Sequence, residues 1–277
     1  MRKKLPHFIM LLLIIAMCYP IVFLVTGSFM GEGELIEKIG VIFGAVKGRY
    51  TSWSMLPENP NIWSYIKVLF DSPEFFTAFW NTIKIALITL ALQCIVNISA
   101  AWGLAVYDFP GKKSVLRLYI ILLILPFQVL MLPQYLVMDR LGLTDTIWAV
   151  ILPMVFSPQF IFILYYFFKK IPDHIIDAAR TEGASEWKIF IYIGLPLCRT
   201  GLLAAAVLSA AECFNIIEQP LLFFKTKTLW PLSLYLPNAK MDKVGGNFVA
   251  AVLSLLPLVL VYLYGLSCIE EDVTSKK

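Results

Sequence analysis

Glu212 is the residue in this sequence most able to do chemistry, because it is a carboxylate in the middle of an apolar run. The run, Gly201–Phe224, has no other charge except Glu218. At membrane depth a charged side chain costs about 2.5–3.5 kcal/mol or more unless it faces a polar cavity or a partner. Two roles fit it. Glu212, with Asn215 three residues on, lines a path for a polar solute and accepts bonds from its hydroxyls. Alternatively a neighbouring helix or a second chain holds it. Catalysis has no comparable constellation. His7 and His174 are the only histidines, and Cys18, Cys94, Cys198, Cys213 and Cys268 form no CxxC pair. A metal or disulfide framework needs paired spacing, and isolated cysteines in apolar runs read as small buried hydrophobes. No metal site, catalytic residue or cofactor is expected. Neither GxxxxGK[ST] nor GxGxxG occurs, so any nucleotide chemistry belongs to another chain.

The second informative stretch is Lys169–Thr200, KKIPDHIIDAARTEGASEWKIFIYIGLPLCRT. It is too polar to span a membrane and too patterned to be a linker. Pro172 suits a helix's first turn and Asp173 complements its dipole. Ile171, Ile175, Ile176 and Ala179 then share one face. Gly183 stands where a left-handed residue ends a helix. Ser185 can cap a second helix that carries Trp187, Phe190 and Ile191, and Pro196 precedes the next apolar run. Two short helices meeting at a glycine turn form either a rigid knob for a partner's cleft or a solvated interfacial hairpin.

The elements that position these residues are set by lipid. A hydrocarbon core of about 30 Å needs roughly 20 apolar residues of helix. Six runs qualify, at about 8–28, 82–106, 116–138, 146–168, 201–224 and 246–268. Apolar residues make up 59% of the chain and charged ones 15%, against about 25% charged in a soluble domain. The fold class is an all-α polytopic membrane protein of six transmembrane helices, read as one domain over 1–277. The first run has the basic start of a signal peptide, but no A-x-A site follows and Pro20 with aromatics extends it, which favours an uncleaved span. Gly31–Ser72 has little periodicity except a short amphipathic helix near Asn61–Phe70. Pro126, Pro133, Pro153, Pro158 and Pro257 are expected to kink or interrupt spans. Gln93, Asn97, Gln128 and Asn215 suit interhelical hydrogen bonding.

Lys and Arg set the orientation, being retained on the cytoplasmic side. Arg2, Lys3 and Lys4 precede the first run; Lys112, Lys113 and Arg117 follow the second; Lys169, Lys170, Arg180, Lys188 and Arg199 follow the fourth; Lys276 and Lys277 end the chain. The opposite connections are poorer for their length, although Lys225, Lys227, Lys240 and Lys243 weaken the bias in the last of them. Both termini are therefore expected in the cytoplasm, in a cell membrane. A net charge of +4 without a basic stripe argues against a nucleic-acid partner.

The run DAARTEGASEWKIFIYIGLP resembles the "EAA" loop of bacterial ABC-importer permeases, E-A-A-x-x-x-G followed by an apolar residue and proline. Here the matching residues are Asp177, Ala178, Ala179, Gly183, Ala184, Ile193 and Pro196, with Asp177 in place of Glu. From Phe75 to about Leu236 the chain is similar to carbohydrate-importer permeases of the maltose-transporter type, specifically the shorter, six-span partner. Asn81-Thr82, Leu132-Pro133-Gln134-Tyr135, Leu141–Thr146, Phe214-Asn215 with Pro220-Leu221, and Leu229-Trp230-Pro231-Leu232 carry that likeness.

The resemblance implies that 169–200 is a cytoplasmic coupling-helix loop seated in an ATPase subunit. It implies a second permease subunit, two ATP-binding subunits and an extracytoplasmic sugar-binding protein as partners, and sugar uptake by alternating access. Cargo such as glycerol phosphate or a polyamine is the runner-up. A stand-alone secondary transporter would need paired intramembrane charges and internal symmetry, and neither stands out.

Overall fold

Within lipid a backbone can satisfy its polar groups only by bonding to itself, so long apolar runs become helices. The computed structural model describes residues 4–40, 56–238 and 244–274, and among these it is helical with no strand. The order is α1 (Lys4–Ser28), α2 (Glu32–Ile39), α3 (Trp63–Asp71), α4 (Pro73–Val106), α5 (Lys112–Ile124), α6 (Phe127–Arg140), α7 (Ile147–Val155) and α8 (Pro158–Lys169). It continues through α9 (Asp173–Thr181), α10 (Glu186–Ile189), a π turn (Phe190–Gly194), α11 (Leu195–Leu197), α12 (Arg199–Asn215), α13 (Glu218–Phe223), α14 (Leu232–Tyr235) and α15 (Val244–Thr274). Of the residues that carry the charge bias, Arg2, Lys3, Lys47, Arg49, Lys240, Lys243, Lys276 and Lys277 lie outside the described residues.

Among the described residues four helical stretches are long and apolar enough to cross a bilayer: Ile9–Ser28, Pro73–Val106, Ile147–Lys169 and Val244–Cys268. Two bent pairs bring the number to as many as six if each pair is one span. The third apolar run is one of them, since α5 and α6 meet at 106°. The cause is Pro126, which forces Leu125 into an extended conformation (ψ 128°) and so ends α5. The fifth run stops at Asn215, and α12 meets the preceding helical stretch, Glu186–Leu197, at 74°. Pro158 breaks a helix in the same way, holding Ser157 extended between α7 and α8. Pro133, Pro153 and Pro257 lie inside continuous helices.

Two compact units divide the chain, Met1–Phe79 with Tyr235–Pro257, and Trp80–Leu234 with Leu258–Lys277. In the first, α1 is apolar on every side and none of its spanning window is buried. Its end turns into α2, whose Leu35 and Ile39 pack with Met30, Val244, Phe23 and Phe248. The sequence did not suggest α2. Its buried Lys38 is neutralised by Glu34 at 2.7 Å and Glu58 at 3.4 Å. Helix α3 lies where the amphipathic spacing placed it.

In the second unit α4 carries the polar residues that hold three helices together. Pro158 has no N–H, so the carbonyl of Met154 loses its helical donor. Gln93 Nε2 donates to that carbonyl at 2.7 Å, and Asn97 Nδ2 donates to Val155 O at 2.9 Å. Ser209 of α12 in turn donates to Gln93 Oε1.

Beyond α13 the chain is tied down by the motif residues singled out above. Asp145, left-handed at φ 61°, accepts from Lys225 N and Thr226 N at 2.9 Å each and from Thr226 Oγ1 at 2.6 Å. These bonds, that from the Thr226 hydroxyl first, hold its carboxyl below the usual range. Asn81 donates to Thr228 O at 2.7 Å, and Thr82 accepts from Leu232 N at 2.8 Å. Asn81-Thr82, Leu141–Thr146 and Leu229–Leu232 are thus parts of one knot.

Candidate functional site

Two features of the second unit carry functional residues. The first is the hairpin between α8 and α12. Helix α9 ends at Gly183, whose φ of +82° only glycine adopts without strain. Gly183 N–H bonds to Arg180 O and Ala184 N–H to Ala179 O, both at 3.0 Å, so α9 closes in a Schellman turn. Ser185 begins α10 in an extended conformation but makes no side-chain cap. Across the turn Arg180 Nε donates to Glu186 Oε1 at 2.8 Å and Nη1 to Asp177 Oδ1 at 3.3 Å. Tyr107, just past α4, donates its hydroxyl to Glu186 Oε2 at 2.7 Å. These bonds clasp the two arms together and to the end of α4.

The hairpin's inner face is apolar. Ile171, Ile176, Ile189 and Phe190 are buried with Trp102, Phe160, Leu164 and Phe168, and Ala179, Ala184 and Ile193 pack against them. Gly194 permits the closest approach, since a Cβ there would lie 2.5 Å from the Trp102 ring. The π turn at Phe190–Gly194 comes immediately before Pro196, which cannot donate to the carbonyl four residues back. Ala179 therefore anchors the hairpin inward. Asp177, Ala178, Gly183, Trp187 and Pro196 are exposed.

Glu186 gives the hairpin a pH dependence. The Arg180 bond, and then that from Tyr107, hold its carboxyl below the usual carboxylate range. A lowered folded-state pKa stabilises above the unfolded value and loses that stability as pH falls through the folded one. Amide exchange at 177–187, corrected for its intrinsic pH dependence, is expected to be constant from pH 7 to 5 and to accelerate only below about pH 4. Acceleration already between pH 7 and 6 would exclude the clasp as its cause.

The second feature is a cleft of ≈ 540 Å³ in which three helix breaks converge. Leu125 and Phe127 flank the first break, Phe156, Ser157 and Pro158 form the second, and Ile216 and Ile217 the third. Irregular backbone at membrane depth belongs where it lines a polar cavity. Glu212, Asn215 and Glu218 line the same cleft. Asn215 Nδ2 donates back to Ala211 O at 3.0 Å, and Gln128 Nε2 donates to Glu218 Oε1 at 2.8 Å. No hydrogen bond or ion pair joins Glu212 to another described residue.

Both candidate sets therefore lie in one unit, the hairpin residues at one place and Glu212 with Asn215 at another. The clasp of Tyr107, Arg180 and Glu186 was not anticipated. Its signal was present, opposite charges six residues apart across a glycine turn, but Tyr107 gives no hint before the fold is known. The convergence of the breaks was also not legible, because proline spacing does not say which kinks meet. Among the described residues no cluster could hold a metal ion.

Comparison with known proteins places the chain in a family. Residues 95–273, which include the hairpin and Glu212, match the model of the binding-protein-dependent transport system inner membrane component family. The chain is 28% identical over 251 residues to the arabinooligosaccharides transport system permease protein AraQ of Halalkalibacterium halodurans, covering 89% of this chain and 85% of that one. It is also 28% identical to the lactose transport system permease protein LacG of Rhizobium radiobacter over 272 residues, 95% of this chain and 93% of that one. In fold it is similar to a chain of a bacterial ABC transporter involved in the import of the acidic polysaccharide alginate, with a TM-score of 0.78 at 20% identity over 95% of this chain and 94% of that one. With the family matched over more than half its length, the chain belongs to the binding-protein-dependent transport system inner membrane components, a family of multi-pass transport permeases.

Proposed function

We propose that this permease is one of a pair forming the pore of an ATP-driven importer for a sugar or oligosaccharide. The observation that carries the reading is the hairpin, a knob closed by a Schellman turn, clasped across its arms, and packed by its inner face onto α4 and α8. Such a unit transmits a push from a partner to the spans with little loss. The partners are a second permease, two ATP-binding subunits and an extracytoplasmic sugar-binding protein. The hairpin faces the cytoplasm, as do both termini, in keeping with Lys169, Lys170, Arg180, Lys188 and Arg199 around it. Closure of the ATPases draws the hairpins together and swings the spans from inward-facing to outward-facing. The chain itself performs no bond chemistry. Relatives that carry arabinooligosaccharides and lactose support sugar as cargo.

In this reading Glu212 and Asn215 line the path. Glu212→Gln is expected to leave the complex assembled and its basal ATPase intact while shifting the KM or the maximal rate of sugar uptake at least threefold. Uptake across a range of sugar concentrations, with copurification of the ATPase as the assembly control, measures this. Loss of assembly with unaltered uptake per assembled complex would instead assign Glu212 to the subunit interface.

A further inference from the structure

The cleft has a sign. Glu212 and Glu218 both line it, and none of the described residues lining it is Lys, Arg or His. Three helix N-termini, those of α6, α8 and α13, open on the cleft, and that of α8, a common kind of anion site in other folds, has most of its N–H groups taken. Pro158 supplies no N–H, the Phe160 N–H is taken by Ser157 Oγ at 3.3 Å, and the Ser157 N–H by Val155 O at 3.1 Å. The end of α12 opens on the same cleft and adds the negative pole of its dipole. Glu218 is spoken for by the neutral Gln128, which leaves its charge in place. The remaining lining is uncharged, with Asn215, Ser157 and Gln219 among apolar residues and Phe156 two-thirds exposed at the break. Carboxylate and amide acceptors beside an exposed ring suit the hydroxyls and the C–H face of a sugar.

We infer that this cleft selects cargo by charge, passing uncharged or amine-bearing saccharides and rejecting anionic ones such as uronic-acid or phosphorylated sugars. The inference rests on the cleft being part of the transport path. Two carboxylates on one cleft repel an incoming anion, whereas each accepts a bond from a neutral hydroxyl.

A local probe reads this without knowledge of the cargo. Ile217 lines the cleft and is exposed, so Ile217→Cys in a background without the five native cysteines places a thiol there. The complete importer, in proteoliposomes, is treated with a cationic and an anionic methanethiosulfonate reagent, and the rate ratio is normalised to that of a free thiol in solution. The expected normalised preference for the cation is at least tenfold, falling at least threefold when Glu212→Gln and Glu218→Gln are added. A ratio near unity, or one indifferent to the two substitutions, overturns charge selection and leaves the importer reading standing. Absence of labelling by either reagent, in any nucleotide state, removes the cleft from the path, and with it charge selection and the path-lining role of Glu212. Should the cysteine-free background not assemble, the native complex is given neutral, glucosamine and galacturonic-acid trisaccharides. Fastest uptake of the neutral or amine sugar supports the inference, fastest uptake of the uronic acid overturns it, and uptake of none counts against sugar transport altogether.

Discussion

Gly183→Val is expected to lower sugar uptake at least tenfold while the protein still inserts in the membrane. No atom lies within 4 Å of the position a Cβ would take at Gly183. The whole penalty is therefore conformational. An L-residue held left-handed costs about 1–2 kcal/mol, and a β-branched one sits at the upper end. That energy falls on a turn whose two closing bonds, Gly183 N–H to Arg180 O and Ala184 N–H to Ala179 O, need φ near its native +82°. If the turn relaxes, the Arg180–Glu186 clasp opens and the knob no longer moves as one body. The empty surroundings make a sharp control, since Gly183→Asn adds more atoms than alanine yet tolerates the left-handed region. Uptake should rank Gly, Asn, Ala, Val in descending order, and copurification of the ATPase should follow it. A ranking by side-chain volume would show that the substituent clashes with a partner and that the turn itself is not at fault. Ala179→Asp should also disable the hairpin, by placing a charge against the Trp102–Phe168 cluster.

Gln93→Leu and Asn97→Leu should be the most destabilising single changes within the spans. Interhelical hydrogen bonds in membranes average about 0.6 kcal/mol because the freed group usually finds another partner. Met154 O has no such fallback, because its own helix offers a proline at the required position. The loss should therefore approach the cost of an unpaired buried carbonyl, about 1–3 kcal/mol. The Gln93 change also strips Ser209 of its acceptor. A fall in melting temperature and in detergent-stable yield would register both. The decisive measurement adds Pro158→Ala to Gln93→Leu, which restores an N–H within reach of the orphaned carbonyl. Recovery of part of the lost stability is expected, together with a slower transport rate as the break straightens. Equal stability of Gln93→Leu and wild type would mean that the amide is dispensable.

The all-helical membrane class was legible because lipid imposes it. Twenty apolar residues in a row have few alternatives, and Ile147–Lys169 and Val244–Cys268 emerged close to the runs that announced them. The turn at Gly183 was legible for a similar reason, as the heptapeptide around it leaves one residue able to adopt a left-handed conformation. Which prolines end a helix was not legible. All five were expected to kink or interrupt spans, and Pro126 does so, holding Leu125 extended through a restriction confined to the preceding residue. Pro133 carries the same local restriction and sits within α6, and nothing in the structure explains why the two differ. The direction of Ala179 was not legible either, and it packs inward. Small residues serve equally at a docking surface and where two helices press together, and only the packing separates the cases.

The bonds around Gln93 also constrain the order in which the protein is made. Gln93 meets Met154 across 61 residues and Ser209 across 116, and Asn97 meets Val155 across 58. At about 5–20 residues per second of synthesis, α4 is finished roughly 2–10 seconds before the first of these partners leaves the ribosome. During that interval two amides stand on a hydrophobic helix with nothing to bond. Release into lipid would be unfavourable then, so α4 should linger beside the insertion machinery until α7 arrives. Helix α1, apolar on every side, has no reason to wait.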